Sequence, residues 1–188
     1  MKSNFVKMVT ALVVVGVLSG MSLVMVHIYT QQKISDNKDK EIAKAVWALF
    51  PDMDKVVVMK RLKDIYKNPA EITDKNMKLL GYAFLAEGNG YQGKIKLLAG
   101  IAPDITELKG FVVLESQETP GLGAEIADEK FKNQFNGLSV SHPIEYVKNQ
   151  KPQKPYQVEA ITGATISTRA VVNILNKRIK EIREVLGD

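Results

Sequence analysis

Residues 159–170 read Glu-Ala-Ile-Thr-Gly-Ala-Thr-Ile-Ser-Thr-Arg-Ala, and the hydroxyls of Thr165, Ser167 and Thr168 fall within about one helical turn. Apolar residues continue at helical spacing. Ile166, Ala170 and Ile174 form one row, with Val171, Leu175, Ile182 and Leu186 beside it. The cluster therefore opens the last helix. Thr162 is the candidate N-cap, its hydroxyl placed to accept from the backbone N–H of Ala164 or Thr165. Free first-turn N–H groups and the helix dipole favour an anion here. Gly163 and Ala164 leave room for a bulky group to approach the backbone. The chemistry on offer is anion binding with hydroxyls close at hand. Taken alone, a Ser/Thr cluster opening a helix is most often just a cap.

A second stretch has the same potential. Residues 115–124 read Glu-Ser-Gln-Glu-Thr-Pro-Gly-Leu-Gly-Ala. Pro120-Gly121 favours a tight turn, and Gly123 permits another unusual backbone angle. A glycine-rich loop lets a flat aromatic ring lie against main chain whose N–H groups can donate to it. Taken alone, this too reads as an ordinary turn.

Together the two stretches carry a resemblance. Thr162-Gly163-Ala164-Thr165-x-Ser167 resembles the flavinylation motif of the FMN-binding domain in the G subunit of Rnf-type electron-transport complexes. The domain is also found in the C subunit of the sodium-translocating NADH:quinone oxidoreductase. Glu118 to Gly123 resembles the Glu-Thr-Pro-Gly-Leu-Gly loop of the same family, as does the Tyr91-Gln92-Gly93-x-Ile95 pattern before a strand. The resemblance implies FMN joined to Thr165 through a phosphoester. It sets Thr162, Gly163, Ala164 and Thr168 around that attachment. It also brings Thr119 and Leu122 against the isoalloxazine, in a site shaped by Glu118, Gly121 and Gly123. Glu159 stands where the family usually has Asp, keeping the carboxylate on a longer arm. The two motifs must meet in space for this reading to hold.

Other chemistries are excluded or left without a signal. There is no cysteine among the 188 residues, which removes thiolate catalysis, disulfides and iron–sulfur or zinc-thiolate sites. The net charge is +5, and two of the positive charges, Lys2 and Lys7, lie at the extreme N-terminus. No clustered basic surface with interleaved aromatics marks a nucleic-acid partner. Lys148 to Lys154 reads as a solvated loop, and His142 as a loop histidine. No metal site is expected.

The elements that must position these motifs begin with an anchor. Met8 to Val26 is uncharged, and about twenty such residues cross a bilayer core as a helix. The run is longer than a signal-peptide core and no clear Ala-x-Ala site follows it. Lys2 and Lys7 put the N-terminus in the cytoplasm and the soluble part on the extracytoplasmic side of the inner membrane. Ile42, Val46, Leu49 and Phe50 predict a juxtamembrane helix ended by Pro51. Val56 to Met59 reads as a short strand, and residues 60–76 as a loop. Strands are predicted at Leu79–Ala86, Lys94–Ile101 and Ile105–Leu114, with turn signals between them that favour antiparallel pairing. Ala127 to Phe135 reads as a short helix ended by Gly137.

The expected fold is α+β: a mainly antiparallel sheet packed by helices near 40–50, 127–136 and 163–186, behind one N-terminal transmembrane helix. The expected division is an anchor at 1–30, a juxtamembrane helix and linker at 31–55, and an FMN-binding domain at 56–188. The expected function is a membrane-anchored electron carrier with covalent FMN. Its complex would couple ferredoxin–NAD electron transfer to ion translocation, with other membrane subunits, a flavin transferase and membrane lipid as partners. The chain is not expected to turn over a substrate alone. The alternatives are a non-redox assembly module, in which Thr162 and Thr165 are caps, and the quinone-reducing relative.

Overall fold

The computed structural model describes residues 2–54, 62 and 65–186, with backbone only at 2, 3, 32, 35 and 36. The predicted strand at Val56–Met59 lies outside the described residues. The chain divides into two compact units, Met1–Glu41 and Ile42–Asp188. Helix α1 is continuous over Lys2–Leu49. Its stretch from Asn4 to Gln31 is long and apolar enough to cross a membrane, and its side chains are exposed.

The second unit is built on a four-stranded antiparallel sheet in the order β1-β2-β3-β4. The strands are β1 (Ala70–Thr73), β2 (Leu79–Asn89), β3 (Lys94–Ile101) and β4 (Leu108–Ser116). β3 alternates as a strand buried on both faces should. Ile95, Leu97, Ala99 and Ile101 pack with Phe84, Phe111 and the final helix, while Leu98 packs with Ala83, Leu85 and the end of α1. The end of α1 covers its face through Ile42, Ala45 and Val46, at the helical spacing that periodicity predicts, with Phe50 just beyond the helix. Gly81 and Gly100 form a slot for the Phe50 ring, since a Cβ at Gly100 would stand 2.8 Å from it.

After β4 come a 3-10 turn (Gly123–Ala127), α2 (Glu129–Lys132) and a second 3-10 turn (Asn133–Phe135). Phe131 and Phe135 meet Phe111 edge-on, with ring centroids 6.3 and 4.9 Å from it. β5 (Glu145–Val147) and β6 (Gln157–Glu159) pair in parallel, and α3 (Thr165–Leu186) closes the fold. α3 buries Val171, Leu175, Ile179 and Ile182. Its Asn176 amide donates to the carbonyl of Ile144 and accepts from the same residue's N–H, at 2.9 and 2.8 Å.

The α+β architecture with its antiparallel meander and apolar N-terminal helix is as expected, and the differences are local. Residues 70–73 form an edge strand instead of loop, because Ala70 to Thr73 pair with β2. β2 runs on to Asn89, which pairs with Lys94. β4 begins at Leu108 instead of Ile105, whose φ of +56° breaks the extended run. The segment predicted as one short helix is split by 3-10 turns.

Candidate functional site

The first turn of α3 is built differently from its sequence signature. The N–H of Ala164 donates to the carbonyl of Ile161 at 3.0 Å, and Gly163 has φ +81°. This is a tight turn with glycine at its third position, where the left-handed conformation is needed. The first intrahelical bond runs from Thr168 N–H to the carbonyl of Ala164 at 3.0 Å. Ala164 is therefore the N-cap, and Thr162, expected there, sits exposed inside the preceding turn. A glycine in a left-handed turn one step before the helix pushes the threonine too far upstream to cap. Ala164 has no side-chain acceptor, so the N–H groups of Thr165 and Ile166 have no capping partner among the described residues.

The three hydroxyls of the cluster have separate fates. Thr168 is fully buried; its Oγ1 donates to the carbonyl of Ala164 at 3.2 Å and accepts from the N–H of Ile161 at 3.1 Å. It thereby clamps both ends of the turn. Ser167 is buried and donates to Oε2 of Glu118. Thr165, the first residue of α3, is half-buried, and its hydroxyl has no hydrogen bond among the described residues.

The Glu118 loop reaches the same place. Thr119-Pro120-Gly121-Leu122 closes a turn through Leu122 N–H to the carbonyl of Thr119 at 3.2 Å, with Gly121 at φ +72°. Proline at the second and glycine at the third position are what such a turn demands. Glu118 is buried at 6% exposure. Its Oε1 accepts from the N–H groups of Tyr91 and Gln92 at 2.8 and 3.0 Å. Burial pushes this carboxyl up. The hydroxyl of Ser167 and the backbone N–H groups of Gln92, Tyr91 and Gly93 outweigh burial and hold the carboxyl below its ordinary value. A Cβ on Gly123 would strike the Glu118 carboxylate and the Ser167 hydroxyl. One carboxylate thus joins the β2–β3 hairpin, the Pro-Gly loop and α3.

Leu122 ends up against the α3 turn, with Cδ2 3.3 Å from where a Cβ on Gly163 would stand. It remains 47% exposed, and Ile166 is 45% exposed, so apolar side chains stay uncovered near Thr165. Before the turn, Gln134 accepts from the N–H of Glu159 at 2.7 Å and donates to its carbonyl at 3.3 Å. The Glu159 side chain is exposed. His142 stacks on Tyr156, ring centroids 5.1 Å apart.

The two motifs therefore meet, and they lie inside a known domain. A family model described as the FMN-binding domain matches residues 90–180. Over 180 residues the chain is 32% identical to the G subunit of the ion-translocating oxidoreductase complex of Methanosarcina acetivorans, covering 92% of each. The chain belongs to this G-subunit family. It is also 29% identical to the G subunit of the proton-translocating ferredoxin:NAD(+) oxidoreductase complex of Clostridium ljungdahlii, across 90% of this chain and 87% of that relative. The crystal structure of Shewanella oneidensis NqrC is similar with a TM-score of 0.55 and 26% identity, over 58% of this chain and 53% of that one.

Membership supports FMN as the ligand, and the residues fit it. Uncapped N–H groups at the α3 N-terminus suit a phosphate. Gly121 and Gly163 leave backbone bare, and Leu122 offers an apolar face to a ring. Two side chains that brace this region, Ser167 and Gln134, are not among the residues the sequence singles out for the cofactor. The serine was legible as one of the clustered hydroxyls, but its buried acceptor is distant in sequence. Gln134 left no signal.

Proposed function

We propose that this chain is a membrane-anchored flavoprotein electron carrier whose FMN is joined by a phosphoester to Thr165. The observation that carries this reading is the Glu118 bridge. It brings the Pro-Gly loop to the helix start and leaves Thr165 as the half-buried hydroxyl of the three without a partner among the described residues, while those of Ser167 and Thr168 are taken. Attachment from FAD forms a bond between Thr165 Oγ1 and phosphorus, breaks the pyrophosphate linkage and releases AMP and the hydroxyl proton. This requires a separate flavin transferase. When bound, FMN supplies the redox chemistry. The chain holds the phosphate at the uncapped turn, which Thr162, Gly163 and Ala164 form and Thr168 clamps. Thr119 and Leu122 face the ring, and Glu118, Gly121 and Gly123 fix the loop.

The relatives' names support a role within a complex that couples ferredoxin–NAD electron transfer to ion translocation, beside other membrane subunits. In this reading residues 1–30 anchor the chain in lipid, 31–55 are a juxtamembrane helix and linker, and 56–188 bind FMN. The end of α1 packs onto the domain's sheet. Lys2 and Lys7 mark the cytoplasmic end, so the domain lies on the extracytoplasmic side.

The test is intact mass and visible absorbance after denaturation, on protein from a host that makes the transferase. Wild-type protein gains about 440 Da together with flavin absorbance, and Thr165→Ala loses both. Unmodified, colourless wild-type protein overturns the reading. Flavin that washes out on denaturation leaves a redox role but removes the phosphoester from Thr165.

A further inference from the structure

We propose that Glu118 and Ser167 are positioning residues for the loading of Thr165: their hydrogen bond holds the Leu122 loop against Gly163, so that the acceptor hydroxyl is presented in one geometry. This rests on the function proposed above. Neither side chain is assigned to the transfer itself. Both are buried, at 6% and 3% exposure, and Thr165 lies two positions before Ser167 on the helix.

Every described donor to Glu118 is neutral: the backbone N–H groups of Tyr91, Gln92 and Gly93, and the Ser167 hydroxyl. No ion pair among the described residues reaches it. A buried carboxylate held by neutral donors alone tolerates little rearrangement, because losing one donor leaves charge unsatisfied. Its surroundings are shaped to it. A Cβ on Gly90 would strike the carboxylate and stand 2.7 Å from Ile95, and a Cβ on Gly123 would strike both partners of the bond. The hairpin and the helix are each held by their own packing. The Thr119–Ala124 loop is different: it follows directly on Glu118, which is bonded to α3 at Ser167, and it touches the α3 turn through Leu122 beside Gly163. Releasing Ser167 from Glu118 frees Leu122 from that turn and removes the wall that orients an incoming group toward Thr165.

The experiment measures flavin transfer from FAD by a flavin transferase onto the full-length chain in detergent, with kcat and KM for the chain determined separately and thermal midpoints recorded. Ser167→Ala and Glu118→Ala are expected to lower kcat about tenfold or more, the equivalent of one charge-assisted hydrogen bond, with KM nearly unchanged. Glu118→Gln is expected to recover most of the rate, since its amide oxygen accepts from Tyr91 and Gln92 while its NH2 donates to Ser167. A folded Ser167→Ala chain that loads at the wild-type rate overturns the proposal. So does a Glu118→Gln chain as slow as Glu118→Ala, which would make the charge and not the geometry decisive. So does a rate that falls only in step with the unfolded fraction. If wild-type chain takes up no covalent flavin, it is the proposed function that fails; if it loads normally and these variants do too, only the positioning role fails.

Discussion

Replacing Thr168 by valine separates a structural hydroxyl from an acceptor hydroxyl. Valine keeps the branched shape inside a fully buried site and removes the oxygen alone. Two hydrogen bonds disappear, to the carbonyl of Ala164 and from the N–H of Ile161. The Ala164 carbonyl keeps its bond from Thr168 N–H. The Ile161 N–H is left without its partner in a partly buried position. An orphaned buried donor costs about 1–3 kcal/mol, and the extra buried methyl offsets about 0.5–1 of that. The net loss is centred on about 1 kcal/mol and reaches at most about 2.5, so Tm falls by about 2–4 °C at the central value for a domain of this size. Thermal unfolding of the full-length chain in detergent reads the stability, and intact mass reads the flavin. Thr168→Val is expected to melt lower yet carry full covalent flavin. Loss of flavin at an unchanged Tm would instead make Thr168 the acceptor.

Two further outcomes follow from the geometry. Glu118 has a lowered carboxyl pKa in the folded chain. Its contribution to stability is therefore present above the ordinary carboxylate range and is lost as pH falls through its depressed folded value. Urea midpoints against pH should show this acid loss in wild type and a flatter limb in Glu118→Gln; parallel curves would contradict it. Gly81→Ala puts a Cβ into the Ile101 carbonyl and against Phe50 at φ +150°, and should cost about 2 kcal/mol or more. A midpoint within error of wild type would show that the Phe50 slot can relax.

Much of this fold was legible because one-dimensional periodicity is a direct image of burial. Lys94–Ile101 alternates, and it is a strand with those bounds. Phe131 and Phe135, four apart, do meet on one face. Ala70–Thr73 was not legible, because an edge strand takes its order from the neighbour it pairs with. Nor was the N-cap: Thr162 has the right chemistry, and the φ of Gly163 moved the helix start past it.

Local pattern alone specifies the antiparallel meander, the apolar N-terminal helix and the residue types of the two motifs, since these depend on neighbours a few positions away. The surroundings of each hydroxyl are settled by packing across the fold. Thr165, Ser167 and Thr168 are chemically alike and nearly adjacent. One is half-buried, one meets a carboxylate 49 residues distant, and one is sealed inside the turn. Those differences come from what packs against each side of the helix, and no local pattern encodes that.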